Sequence, residues 1–221
     1  MKKTFFSVAA IALIAACNNA PEADQAITGD KATAAATEGT TYTMDTTSNI
    51  TWVATKANGA HTGTFNLKEG SLAAKDGNLT GGSFIIDVAS INNIDLAGDP
   101  ENKQKLEGHL KSADFFDVAK YPTAKFEITG ITPFQYDSTM KDVVLKDATH
   151  TINGNLTLRD STRNVAFPAV VSVTDGNVTA KADFNIDRTD WGMNYKGPNN
   201  PADWFIRKDV NLKLNISASK K

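Results

Sequence analysis

Five stretches of this chain alternate apolar and polar residues with a period of two, and that pattern limits the possible folds more than any other feature. Ala124, Phe126 and Ile128 interleave with Lys125, Glu127 and Thr129, and Ile152, Gly154, Leu156 and Leu158 with Thr151, Asn153, Asn155 and Thr157. Val165, Phe167, Ala169, Val171 and Val173 make a third row. Val178, Ala180, Ala182, Phe184 and Ile186 make a fourth, and Val210, Leu212, Leu214 and Ile216 a fifth. Successive side chains of a strand point to opposite faces, so each row predicts a strand with one buried and one solvated face, the mark of antiparallel sheet. Asp76-Gly77-Asn78 and Asp175-Gly176-Asn177 read as hairpin turns. Less regular strands are expected around 50–56, 64–72 and 79–88, with Gly81-Gly82 marking a bulge or sharp coil in the last. Only 101–111 reads as a helix, started by Asp99-Pro100. The expectation is an all-β fold of about eight to ten strands with one short helix. One-sided strands in that number bury their apolar rows together in a closed barrel or a two-sheet sandwich, and alternation alone leaves both open.

The amino-terminal segment follows a different rule. Lys2 and Lys3 precede an apolar run from Phe5 to Ala16, the pattern of a signal peptide and too short to cross a membrane, which takes about 20 apolar residues. Ile14-Ala15-Ala16-Cys17 resembles the lipobox of bacterial lipoproteins, and Cys17 is the one cysteine in the sequence. That resemblance implies a signal peptide over 1–16, lipidation of Cys17, and a cell-envelope protein anchored to a bacterial membrane, on its periplasmic or outer-membrane face. The competing reading is an ordinary secretory signal followed by a coincidental cysteine. Residues 17–40 are rich in Ala, Thr, Glu and Asp without aromatics, which predicts a lipidated flexible tether ahead of a barrel domain over 41–221. A net charge of −2 argues against a nucleic-acid partner, which calls for a basic face.

Several motifs together resemble one family. They are Trp52 with Lys56; His61, Gly63 and Phe65; Gly81-Gly82 before a strand ending at Asp87; and Ser90-Ile91. HLKSADFFDVAKYPTAKF from His109 to Phe126, LTLRDST from Leu156 and IDRTDWG from Ile186 complete the set. In this order they resemble the YceI-like family, whose members are lipocalin-like β-barrels holding a polyisoprenoid lipid. The resemblance implies a barrel rather than a sandwich, a polyisoprenoid or similar lipid as ligand, and no other cofactor. The stretch 132–148 departs from the family pattern by being longer or more polar.

The candidate ligand-binding residues are Trp52, Lys56, His61, Phe65, Phe84, Phe115, Phe116, Phe126, Phe184, Arg188 and Trp191. Lys56 shares the parity of Trp52 and Ala54, and Arg188 that of Phe184 and Ile186. If the strands stay regular to their ends, both cations project from the apolar face, and a buried cation wants an anion such as a phosphate head group. If the strands end sooner, each side chain reaches solvent or pairs with Asp87, Asp187 or Asp190. His61 sits in a loop, where a histidine is more often a solvated turn residue than a ligand. For each aromatic, core packing competes with cavity lining, and a filled barrel requires the same alternation as a hollow one. His61, His109 and His150 lie far apart with no acidic or cysteine residues at ligand spacing, so no metal site is expected. Asp187 and Asp190 lack a nucleophile or histidine beside them, so a binding protein is expected rather than an enzyme.

Overall fold

The computed structural model describes residues 20–57, 59–197 and 206–220. The expected signal peptide and Cys17 lie outside the described residues. The elements in chain order are β1 (Asp24–Gln25), β2 (Ile27–Gly29), β3 (Thr40–Met44), β4 (Asn49–Lys56), β5 (Gly59–Lys75) and β6 (Asn78–Asn93). Helix α1 (Pro100–Lys111), β7 (Thr123–Pro133), β8 (His150–Leu158), β9 (Ser161–Val173), β10 (Asn177–Asp187), a 3₁₀ turn (Arg188–Trp191) and β11 (Ile206–Ser219) follow. Strands β4 to β11 pair in sequence, each antiparallel to the next, and β11 returns to pair with β4. This closes an eight-stranded barrel with three short extra strands and one helix. Closure removes the exposed edges that a sandwich would leave.

The apolar rows all face the barrel axis. Phe126 stands opposite Phe84 on one side and Leu156 on the other, and Phe184 opposite Leu212. Burial of each such side chain stabilises the fold by about 1.5–3 kcal/mol. The end that carries the β5–β6 and β9–β10 hairpins is packed shut by Tyr42, Leu72, Leu79, Val178, Ile216 and Ala218. The Tyr42 hydroxyl donates to the Thr174 carbonyl there at 3.2 Å. The opposite end, beneath α1 and the 3₁₀ turn, is the mouth.

The expected tether is instead bound to the barrel over its described length. Strands β9 and β10 pair through only four residue pairs, Val170–Val173 against Val178–Lys181, and then diverge. β1 lies parallel on the free edge of β10, and β2 lies antiparallel on the free edge of β9, so residues 24–29 fill the slot. From there the chain wraps the outside of the barrel. Asn155 brackets Ala32, donating from Nδ2 to its carbonyl at 2.7 Å and accepting from its N–H at 3.0 Å. Ala35 N–H donates to the Ile128 carbonyl at 2.9 Å, and Glu38 N–H to Thr80 Oγ1 at 3.2 Å. Composition concealed this belt because backbone bonds hold it, not large apolar side chains. Its small alanines also lose little side-chain entropy on ordering. Asp24, 5% exposed, accepts from the N–H groups of Val144 and Leu145 at 2.9 and 2.8 Å. It thereby fixes the long β7–β8 connection that departs from the family pattern.

Candidate functional site: a hollow upper barrel

The barrel is hollow between the mouth and the level of Phe126. About 130 Å³ of this cavity is open to the centre of a water molecule, and the whole space between the lining atoms, mouth included, is about 1060 Å³. A single water needs only about 10–15 Å³ of such space but also two to four polar partners. Among the described residues the surface exposed to this space is apolar, so they give water room but no polar partner. Cavities of that kind stay dry or take an apolar guest.

Of the eleven candidate residues, Trp52, Phe65, Phe84, Phe115, Phe116, Phe126, Phe184 and Arg188 line this space. Trp52 lies flat against β5 because the facing residue is Gly63, where a Cβ would come within 2.4 Å of the indole ring. The segment after α1 folds over the mouth. Its helix ends at Ser112, which caps His109, and the Nε2 of His109 lies 2.9 Å from an Asp114 carboxylate oxygen. This turn projects Phe115 and Phe116 down into the cavity. Phe116 meets Phe65 edge-on at 5.6 Å, while Phe115 packs with His109 at 5.1 Å and Tyr195 at 5.5 Å. Two aromatic rings thus roof the apolar space.

The polar candidates are placed differently from the expectation. β10 ends at Asp187, whose carboxylate accepts from the N–H and hydroxyl of Thr189 at 3.0 and 2.6 Å and starts the 3₁₀ turn. Arg188 therefore leaves the strand and turns inward at 4% exposure. Its Nε donates to the Arg207 carbonyl, Nη1 to that of Met193, and Nη2 to those of Tyr195 and Ile206. The guanidinium is thus committed to four carbonyls that shape the mouth, and among the described residues no carboxylate forms an ion pair with it, since Asp187 pairs instead with Lys208 at 2.8 Å. Burial pushes the Arg188 pKa below the ordinary arginine value, partly countered by the nearby Asp187 charge.

Lys56 lies at the top of β4 opposite Ile206, outside the lining, and makes no ion pair or hydrogen bond among the described residues. His61 also stays outside. It stands directly opposite Ala54, which lines the cavity, but does not itself line it, and its Nδ1 sits 2.9 Å from an Asp95 carboxylate oxygen. Burial would raise the Asp95 pKa, yet bonds from the Thr62 N–H, His61 and Asn93 hold it below the ordinary carboxylate value. Trp191 is not a lining residue either. It is 1% exposed and donates from Nε1 to the Leu156 carbonyl at 2.9 Å, sealing the barrel wall beside β9. Leu110, Met193 and Ile206, which the sequence did not single out, do line the cavity. They lie at a helix end, in a turn and at a strand start, where no periodicity marks an inward face. Among the described residues no three His, Cys, Asp or Glu side chains gather where a metal ion would sit.

The YceI-like domain matches residues 42–218. A UPF0312 protein of Azotobacter vinelandii is 37% identical over 94 residues, covering 40% of this chain and 43% of that one. A UPF0312 protein of Pseudomonas putida (strain W619) is 32% identical over 107 residues, covering 48% and 50%. The chain spans about half the length of the curated relatives it matches. Among solved structures, Burkholderia cenocepacia BcnA shares the fold with a TM-score of 0.58 at 18% identity, over 77% of this chain and 96% of its own. A polyisoprenoid binding domain from Saccharophagus degradans does so with a TM-score of 0.54 at 15% identity, over 81% and 98%.

Proposed function

The chain belongs to the YceI-like domain family, and from that premise we propose that its barrel encloses an extended apolar ligand, a polyisoprenoid chain or similar lipid, for sequestration or transport. The observation that carries this reading is the hollow, wholly apolar upper barrel under a two-ring roof. The fold it shares with a domain that binds polyisoprenoids supports the same ligand class. Lining groups strip water from the hydrocarbon, and burying about 600 Å² of it contributes roughly 15 kcal/mol gross at 25 cal/mol per Å². Association and ordering remove a large part of that, which leaves tight but reversible binding. A charged head group would meet Lys56 at the rim, while the Arg188 guanidinium, held by its four carbonyls, shapes the mouth beneath it. Among the described residues the lining holds no nucleophile and no acid–base pair, which supports binding as its chemistry. The rival reading is a structural or interaction module with a filled barrel core, and the space inside the upper barrel favours the carrier over it.

The test uses Trp52 as reporter, since its indole lines the cavity. Titration with geranylgeraniol is expected to give a saturable shift in tryptophan emission that Trp52→Phe removes. Absence of any saturable change in the unaltered protein would contradict the reading.

The amino-terminal features extend the proposal to a lipoprotein of the bacterial cell envelope, anchored through Cys17. The belt is already bonded at Pro21, whose carbonyl accepts from Asn185 Nδ2 at 3.1 Å. The four residues from Cys17 to Pro21 reach at most about 14 Å, so an anchored barrel would rest close against the membrane. Cys17→Ser is expected to move the protein from the membrane to the soluble fraction with its circular dichroism unchanged. A variant that stays membrane-bound in high salt would refute anchoring through Cys17.

A further inference from the structure

Four phenylalanines divide the barrel interior. Phe84, Phe126, Phe167 and Phe184 form a continuous run of rings, with centroids 5.2, 5.9 and 3.9 Å apart in that order. Above this run lies the cavity described, and below it lies a second space of about 30 Å³ bordered by Ala169, Ala180 and Ala182. Phe84, Phe126 and Phe167 border both spaces, so their rings form the partition. The position of Phe126 depends on its neighbour across the β7–β8 pairing. A Cβ on Gly154 would lie 2.1 Å from the ring's Cζ, so the ring lies flat against bare backbone. The outer pairs of this run are stacked and the Phe126–Phe167 pair is tilted at 44°, and rings packed in contact resist turning singly in a close-packed interior.

Resting on the reading of the barrel as a prenyl-lipid carrier, we propose that this ring partition is the length gauge of the site. The tail descends from the mouth and stops against Phe126 and Phe167, so the depth between roof and partition sets the chain length accepted. Small residues below the partition leave a reserve of space that opens only when a ring is removed. Phe126→Ala joins the two spaces, and each CH₂ newly buried there raises affinity about 4-fold. Gly154→Ala acts in the opposite sense, forcing the ring off the wall and shortening the chamber.

The test measures binding of farnesol, geranylgeraniol, solanesol and undecaprenol to the full chain by native mass spectrometry. The chains compared are the unaltered protein, Phe126→Ala, Phe126→Leu and Gly154→Ala, with folding checked by thermal melts. In the unaltered protein, affinity is expected to rise with chain length to an optimum and then fall. Phe126→Ala should move that optimum to longer prenols and Gly154→Ala to shorter ones, with Phe126→Leu intermediate if the alanine variant fails to fold. An optimum unmoved in folded Phe126 variants would overturn the gauge while leaving the carrier reading intact. If the unaltered protein binds none of the four prenols, gauge and carrier reading fall together.

Discussion

Replacing Arg188 by alanine is expected to destabilise the protein by about 3–5 kcal/mol and to weaken charged and uncharged prenyl ligands alike. Hydrogen bonds to a charged donor contribute about 1.5–3 kcal/mol each, and truncation orphans four carbonyls at once. Those carbonyls belong to Met193, Tyr195, Ile206 and Arg207, so the mouth loses the strut that holds the 3₁₀ turn, the following loop and β11 together. Arg188→Lys keeps the charge but not the planar fork of donors, and should recover less than half of the lost stability. Urea denaturation of the three proteins measures this directly. Lys56 behaves differently because nothing in the described structure holds it. Lys56→Glu should leave stability within about 1 kcal/mol and weaken a prenyl phosphate more than the matching alcohol. If Arg188→Ala is as stable as the unaltered protein, the carbonyl bonds do not support the mouth.

Filling the cavity should have an equally large effect on binding with little effect on stability. Ala124 lines the upper barrel on β7 at 3% exposure, opposite Ile86. Ala124→Trp places an indole where the ligand would lie and is expected to reduce prenol affinity by at least about 100-fold, since pocket volume is lost to a rigid ring. Burial of the added apolar surface offsets crowding, so the unfolding free energy should change by no more than about 1–2 kcal/mol. Calorimetric titration and denaturation on the same sample separate the two effects. Undiminished binding by a folded Ala124→Trp protein would place the ligand elsewhere.

The strands were legible because a half-buried strand writes its two faces into alternate residues. Phe126, Phe167 and Phe184 face the axis as their parity predicts. Closure of the barrel was not legible in the alternation, since β11 meets β4 through backbone pairing that leaves no mark on composition, and only the family resemblance implied it. The belt escaped for the same reason: Asn155 and Asn185 hold it at backbone atoms, and a chain of alanines and threonines looks identical whether bound or free. Parity also failed at strand ends. It correctly set Arg188 on the inner side, but the Asp187–Thr189 cap had already broken the strand, and the guanidinium turned to carbonyls. His61 kept the face of its cross-strand partner Ala54, yet its ring bonds Asp95 and does not line the cavity. Whether the interior is hollow depends on how far side chains reach across the axis. Alternation carries no information about that distance.

The proposed occupant of this interior is an extended hydrocarbon. Native mass spectrometry of the full-length protein purified in mild detergent, followed by solvent extraction, tests it most directly. The prediction is one noncovalent adduct per chain, yielding a lipid built of isoprene units. A chain that carries no lipid, and takes up none when offered geranylgeraniol or undecaprenol, would contradict it.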